Sequence, residues 1–139
     1  MEDFHQGGCL CGDLRYRVRG APERTTVCHC TFCQRVSGSA FAIWSAFLER
    51  NFEMSSGSPA VYEHRSDESG RWIRLEFCPR CGTKVASTFE RDLGKRAVSA
   101  GTFDDPRWLR VDRHVWTRSA LSWVLVPEGV ERHLKAAKP

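Results

Sequence analysis

Much of the chain alternates between polar and apolar residues with the two-residue period of a half-buried strand. In DLRYRVR (13–19), Leu14, Tyr16 and Val18 fall on one side and Arg15, Arg17 and Arg19 on the other. WIRLEF (72–77) sets Ile73, Leu75 and Phe77 against Arg74 and Glu76, then runs straight into a pair of cysteines. Further strand-like runs are AFAIWSAF (40–47), PAVYEH (59–64), TKVAST (83–88), RAVSAG (96–101), DRHVWT (112–117) and SWVLV (122–126). Turn formers separate them: Gly7-Gly8, SSGSP (55–59), SDESG (66–70) and Asp104-Asp105-Pro106. No window of eleven or more residues carries a 3.6-residue apolar repeat, and one short helix is expected, in TFCQRVSG (31–38). The pattern predicts a mainly β fold of antiparallel sheets with little helix. It is read as a single domain over 1–139, with a tail over 128–139 that frays or lies on the surface.

Composition changes this picture through cysteine. Seven cysteines in 139 residues, with no basic and apolar leader and no apolar run near the ~20 residues that span a bilayer, predict a cytoplasmic protein with reduced thiols. Clustered cysteines in that setting bind metal or do chemistry, and an odd number argues against a closed disulfide set. The formal charge of +4 invites a nucleic-acid partner. Seven metal-bound thiolates on two dications would bring it to about +1, however, and the Lys and Arg are dispersed instead of forming a block. Nucleic acid is therefore not the expected partner, and neither is a membrane.

The cysteines form three groups: GGCLCG (Cys9, Cys11), CHCTFC (Cys28, Cys30, Cys33) and FCPRCG (Cys78, Cys81). A C-x-C pair in extended backbone points both sulfurs the same way, and a C-x-x-C pair does so from a tight knuckle, with Gly12 and Gly82 relieving the backbone after two of the pairs. Two divisions make chemical sense. Either Cys9, Cys11, Cys78 and Cys81 hold one zinc and Cys28, Cys30 and Cys33 another, or Cys30 and Cys33 join Cys78 and Cys81, leaving Cys9, Cys11 and Cys28 together. Spacing alone does not separate them. Both split seven as four plus three, and a three-ligand zinc with an open position is the mark of a catalytic site. Competing readings are one structural zinc beside three spare buried cysteines, and His29 as a fourth ligand. In extended backbone, though, His29 points opposite to Cys28 and Cys30. An iron–sulfur cluster wants four cysteines in a different spacing.

GGCLCGDLRYRV, CHCTFCQRVSGSAF, FCPRCGTKV and SAGTFDDPRW followed by HVW together resemble the glutathione-dependent formaldehyde-activating enzyme family, whose domain is shared with centromere protein V; the likeness runs from about Gly7 to Trp123. The resemblance implies a β-tent type zinc fold and favours the first division, with Cys9, Cys11, Cys78 and Cys81 as a structural site and Cys28, Cys30 and Cys33 as a catalytic one. It also implies two Zn²⁺ per chain, and with fewer ligands and an open face the three-cysteine ion should be the more labile. The activity implied is that of a carbon–sulfur lyase of the S-(hydroxymethyl)glutathione synthase type, with glutathione as co-substrate and a small carbonyl compound as its partner. Physical chemistry agrees: three thiolates make zinc a poor generator of hydroxide but a good site for an incoming thiol. The alternative is a non-catalytic, zinc-stapled module that binds protein or nucleic acid. A sulfoxide reductase would need a redox cysteine outside the metal set, and none is left over.

Arg35 and Lys84 are candidates for pairing with the carboxylates of glutathione, against a reading as plain surface charges. Trp44, Phe41 and Trp116 read as core aromatics before they read as cleft walls, and His114 as a sheet histidine before a proton shuttle. Asp104 and Asp105 read as turn formers.

Overall fold

Arg15–Arg19 buries Tyr16 and Val18 completely and leaves Arg17 and Arg19 in solvent, as its alternation requires. The computed structural model describes residues 3–138; Met1, Glu2 and Pro139 lie outside the described residues. The elements run β1 (Phe4–Gly8), β2 (Arg15–Arg19), β3 (Arg24–Cys28), α1 (Thr31–Ser37), β4 (Ala42–Leu48), β5 (Phe52–Ser56) and β6 (Ala60–Arg65). They continue with β7 (Trp72–Phe77), β8 (Lys84–Phe89), β9 (Lys95–Ser99), β10 (Arg113–Val115) and β11 (Glu131–Arg132), with short 3₁₀ turns between some of them. The fold is mainly β, and α1 is the α-helix among the described residues. No helix there is long and apolar enough to cross a membrane.

Two sheets result. A small one has the order β1-β2-β5, and a large one the order β11-β10-β3-β4-β9-β8-β7-β6. Pairing is antiparallel throughout the small sheet and from β3 to β6. It is parallel where β10 joins β3 and where β11 joins β10, so the large sheet is mixed at that end. The inner face of β2 meets Phe47, Val85, Val98 and Phe103 in one apolar core, and Cys9 and Cys78 sit at its margin. Tyr16 stacks on Phe52 and meets Phe103 edge-on, while its hydroxyl bonds the Thr102 hydroxyl at 2.7 Å, so the one polar atom of this ring is satisfied. Phe47, 1% exposed, is the largest apolar contribution of β4 to this core. Phe47→Ala is expected to cost about 3–5 kcal/mol of unfolding free energy, read as a shifted urea midpoint at unchanged slope.

Several strand boundaries differ from the expectations, each for a physical reason. Gly7-Gly8 is no turn: both residues belong to β1, and a Cβ on Gly7 would stand 2.3 Å from the Thr102 carbonyl oxygen and 2.4 Å from the Tyr16 hydroxyl. These glycines let strands approach closely. β3, RTTVC, lacks alternation because it is buried on both faces between β10 and β4, its Thr25 hydroxyl satisfied by Ser45 at 2.7 Å. SWVLV (122–126) forms no strand; no neighbouring strand offers it a ladder, and Trp123 and Leu125 stay exposed. The described part of the tail lies largely on the surface, where β11 pairs with β10 and Ala137 packs against the cluster that contains Cys28 and Cys33.

Candidate metal centre

Four of the cysteines converge where the turn after β1 meets the knuckle between β7 and β8. The sulfurs of Cys9, Cys11, Cys78 and Cys81 all lie within 4.8 Å of one another, with Cys9 to Cys11 at 3.6 Å and Cys11 to Cys78 at 3.7 Å. A disulfide would need about 2.05 Å. The edge of a tetrahedron built on 2.3 Å zinc–sulfur bonds is about 3.8 Å, so the donor set fits zinc as it stands. Gly12 and Gly82, at φ +86° and +81°, close the two turns that aim these sulfurs. Main-chain amides point at them: Leu14 donates to Cys9 at 3.2 Å, and Arg80 and Cys81 both donate to Cys78 at 3.4 Å. Thr83 links the two halves, its hydroxyl oxygen accepting from the Leu10 amide at 3.1 Å while its proton faces the Cys81 sulfur at 3.3 Å. That hydroxyl, with the amides of Thr83 and Cys11, brings the Cys81 thiol down to about 5, a thiolate ready for a cation.

The second cluster is local. Cys28 ends β3, Cys30 caps α1 by accepting from the Cys33 amide at 3.3 Å, and Cys33 lies in the first turn of the helix. Their three sulfurs also lie within 4.8 Å of one another. Thiols this close cannot all ionise unaided. Hydrogen bonds from Cys28 and Cys33 hold Cys30 at about 3, and the same contacts push Cys28 up to about 12 and Cys33 higher still. A divalent cation among them removes that conflict, so this donor set too fits a thiophilic metal. His29 faces the other way: its Nε2 lies 2.8 Å from Nδ1 of His114, its ring leans on Phe41, and its buried Nδ1 has no partner among the described residues. Burial holds both imidazoles below the ordinary histidine range, His114 further helped by His29.

A cavity of about 300 Å³ opens beside the three sulfurs. Arg24, Thr26 and Cys28 line it from alternate positions of β3, and Arg113 and Val115 from the adjacent β10. Trp44, Trp116, Phe32 and Phe89 supply aromatic walls, so Trp44 and Trp116 are cleft residues, whereas Phe41 packs on His29 outside it. Trp116 takes the left-handed conformation, φ 57°, the one non-glycine among the described residues to do so. Neither sequence candidate for carboxylate binding lines the cavity. Arg35 is exposed in the last turn of α1, and Lys84 is half-buried, its pKa lowered by burial and drawn partly back by Cys33 and Cys28. Asp104 pairs with Arg15 through two contacts of 2.9 and 2.5 Å, and Asp105 caps the turn at Pro106–Trp108. The sequence reasoning passed over Arg24 and Arg113. Their i, i+2, i+4 and cross-strand relation to Cys28 was the available signal, hidden because β3 had not been recognised as a strand.

The sequence profile described as "Glutathione-dependent formaldehyde-activating enzyme" matches residues 4–119. The chain belongs to the glutathione-dependent formaldehyde-activating enzyme family. No protein of curated function matches it in sequence. A crystal structure of a Rhodobacter sphaeroides protein, solved as a structural-genomics target, is similar over 73% of this chain and 92% of its own, with a TM-score of 0.58 and 19% identity; that likeness concerns the fold. Both cysteine clusters and the strands carrying them lie inside the stretch matched to the glutathione-dependent formaldehyde-activating enzyme family, whereas β11 and the segment that follows it lie beyond it.

Proposed function

We propose that the protein activates a small thiol, glutathione first among candidates, for addition to formaldehyde or a similar small carbonyl compound, at the three-sulfur cluster. Family membership supports the substrate pair, and the single observation that carries the site is a trio of converging sulfurs with no fourth donor among the described residues, opening on a cavity large enough for a peptide-sized ligand. In this reading Cys28, Cys30 and Cys33 would hold a catalytic Zn²⁺, and Cys9, Cys11, Cys78 and Cys81 a structural one. When bound, the three-sulfur ion supplies a soft centre with a free position at which a thiol gives up its proton near neutral pH.

The residues around it do the remaining work. Trp44, Trp116 and Phe89 exclude water from the reacting carbon, and holding both reactants in one cleft supplies most of the acceleration, because thiols and aldehydes already combine unaided. In the net reaction a carbon–sulfur bond forms as the carbonyl π bond breaks, and the thiol proton ends on the new hydroxyl. The buried, mutually bonded His29 and His114 face away from the cavity and serve to fix the loop that carries the cysteines, together with Gln34, whose amide donates to the carbonyls of His29 at 2.9 Å and Ser119 at 3.1 Å.

Cobalt substitution tests this reading without relying on turnover. Two cobalt ions per chain are expected, and added glutathione should alter the sulfur-to-cobalt absorbance of one of them in a saturable way. A spectrum indifferent to millimolar glutathione would rule it out.

A further inference from the structure

The cavity beside the three sulfurs is closed on one side by the chain itself. After β11, residues 133–138 run back across the site: the amides of Trp116, Thr117 and Arg118 donate to the carbonyls of Lys135, His133 and Leu134 at 3.0, 3.1 and 3.3 Å. The His133 amide donates to the His114 carbonyl at 3.0 Å. Ala136 and Ala137 line the cavity, and Ala137 packs into the cluster of Cys28 and Cys33. Three guanidiniums grip the main chain of this segment. Arg91 donates to the Ala137 carbonyl at 2.7 Å, and Arg113 and Arg24 donate to the Lys138 carbonyl at 2.9 and 3.4 Å. All three side chains belong to the cavity wall, on β3, β10 and the turn after β8.

Carbonyl oxygens are modest acceptors for such a group. Charge-assisted bonds from arginine to carboxylate are roughly twice as strong as neutral ones and are often bidentate. Three convergent guanidiniums, one of them held below the ordinary arginine range by burial and by Arg24 beside it, meet only neutral carbonyl oxygens on Ala137 and Lys138. The neighbouring acids offset this charge only in part: Glu23 and Asp92 line the same cavity, but Asp92 also faces Lys95 at 3.6 Å, and Glu131, which attracts Arg113, is bonded to His133 at 2.7 Å. Arg24 and Cys28 lie on the same face of β3, four residues and thus about 13 Å apart. An arginine side chain shortens that gap to the reach of a tripeptide.

We propose that Arg24, Arg91 and Arg113 receive the carboxylate end of the thiol substrate, and that residues 131–138 are a strap occupying this end by mimicking a bound peptide. The proposal rests on the thiol-activating reading and extends it: the strap must lift before the substrate docks. Because it is tethered, the strap competes at an effective concentration in the millimolar range, so it lowers apparent affinity by the fraction of time it is closed. The strap lies beyond the stretch that matches the family, residues 4–119.

S-methylglutathione, which keeps the carboxylates but has no free thiol, is the probe. In the full zinc-loaded chain, a protease site placed in the turn at 128–129 allows the strap to be cut and washed away after folding, with circular dichroism as the check on structure. Calorimetry is expected to show S-methylglutathione binding about 10-fold tighter after the cut. Arg91→Gln, at an exposed position, should abolish that gain, and a peptide of residues 130–138 should compete. His133→Pro, which removes the bond to His114 while keeping the strap covalent, should tighten binding about threefold. Affinity unchanged or weakened by both the cut and His133→Pro overturns the proposal, as does a gain indifferent to Arg91→Gln. The thiol-activating reading fails separately: Arg91-dependent binding of S-methylglutathione alongside a cobalt spectrum indifferent to glutathione would leave the strap site standing and remove the chemistry.

Discussion

Cys78→Ser is expected to leave the chain without a native fold at ordinary temperature. Cys78 is 0% exposed, stands at the margin of the core, and belongs to a four-sulfur set that joins the turn after β1 to the knuckle between β7 and β8. Structural zinc in small domains contributes an apparent 10–16 kcal/mol, whereas a domain has about 5–15 kcal/mol of net stability, so loss of one buried ligand removes a term as large as the whole margin. The substitution also leaves a hydroxyl in an apolar site beside the Arg80 and Cys81 amides that now point at sulfur. Far-ultraviolet circular dichroism and zinc content should fall together, and chelation of the wild-type protein at elevated temperature should reproduce the loss. A well-folded Cys78→Ser protein with unchanged Tm would show that the four-sulfur cluster is not structural.

Cys30→Ser should do the opposite: spare the fold and remove the activity. Cys30 caps α1 through its side chain, and serine is among the best residues at an N-cap, so the Cys33 amide keeps an acceptor. What is lost is the most acidic of the three clustered thiols, held at about 3 by its two neighbours. One zinc per chain instead of two is expected. Glutathione-dependent consumption of formaldehyde should drop by more than about 100-fold, toward the uncatalysed rate, since even outer-sphere changes at metal sites cost 10–100-fold. Tm should move by only a few degrees. Activity equal to wild type would refute a catalytic role for this cluster.

The fold was legible where one face of a strand meets solvent. β2 and β7 announce themselves because charged and apolar residues alternate along them, and α1 as the short TFCQRVSG stretch directly after the CHC. β3 was not legible, since both its faces are buried and its threonines read as loop until the Ser45 hydroxyl and the Asp112 carboxylate are known to satisfy them. β1 was obscured by two glycines whose role is contact and not turning. The metal-binding groups were readable from cysteine spacing alone, but which pairs meet across the chain depends on how β7 and β1 are brought together, which spacing does not encode. The cavity wall was the least visible part. Arg24, Arg91 and Arg113 are scattered over some ninety positions, and only the parallel pairing of β10 with β3 gathers the outer two.

The separation of the two cysteine clusters along the chain also orders events on the ribosome. The local trio is complete once Cys33 has emerged, whereas the other set stays incomplete until Cys78 and Cys81 follow, a few seconds later at about 5–20 residues per second. On a nascent chain the local trio is therefore available to a cation before the four-sulfur set is complete. Arg113 and Trp116 arrive later still, so the three sulfurs stand on an open ledge before the cavity walls that enclose them exist.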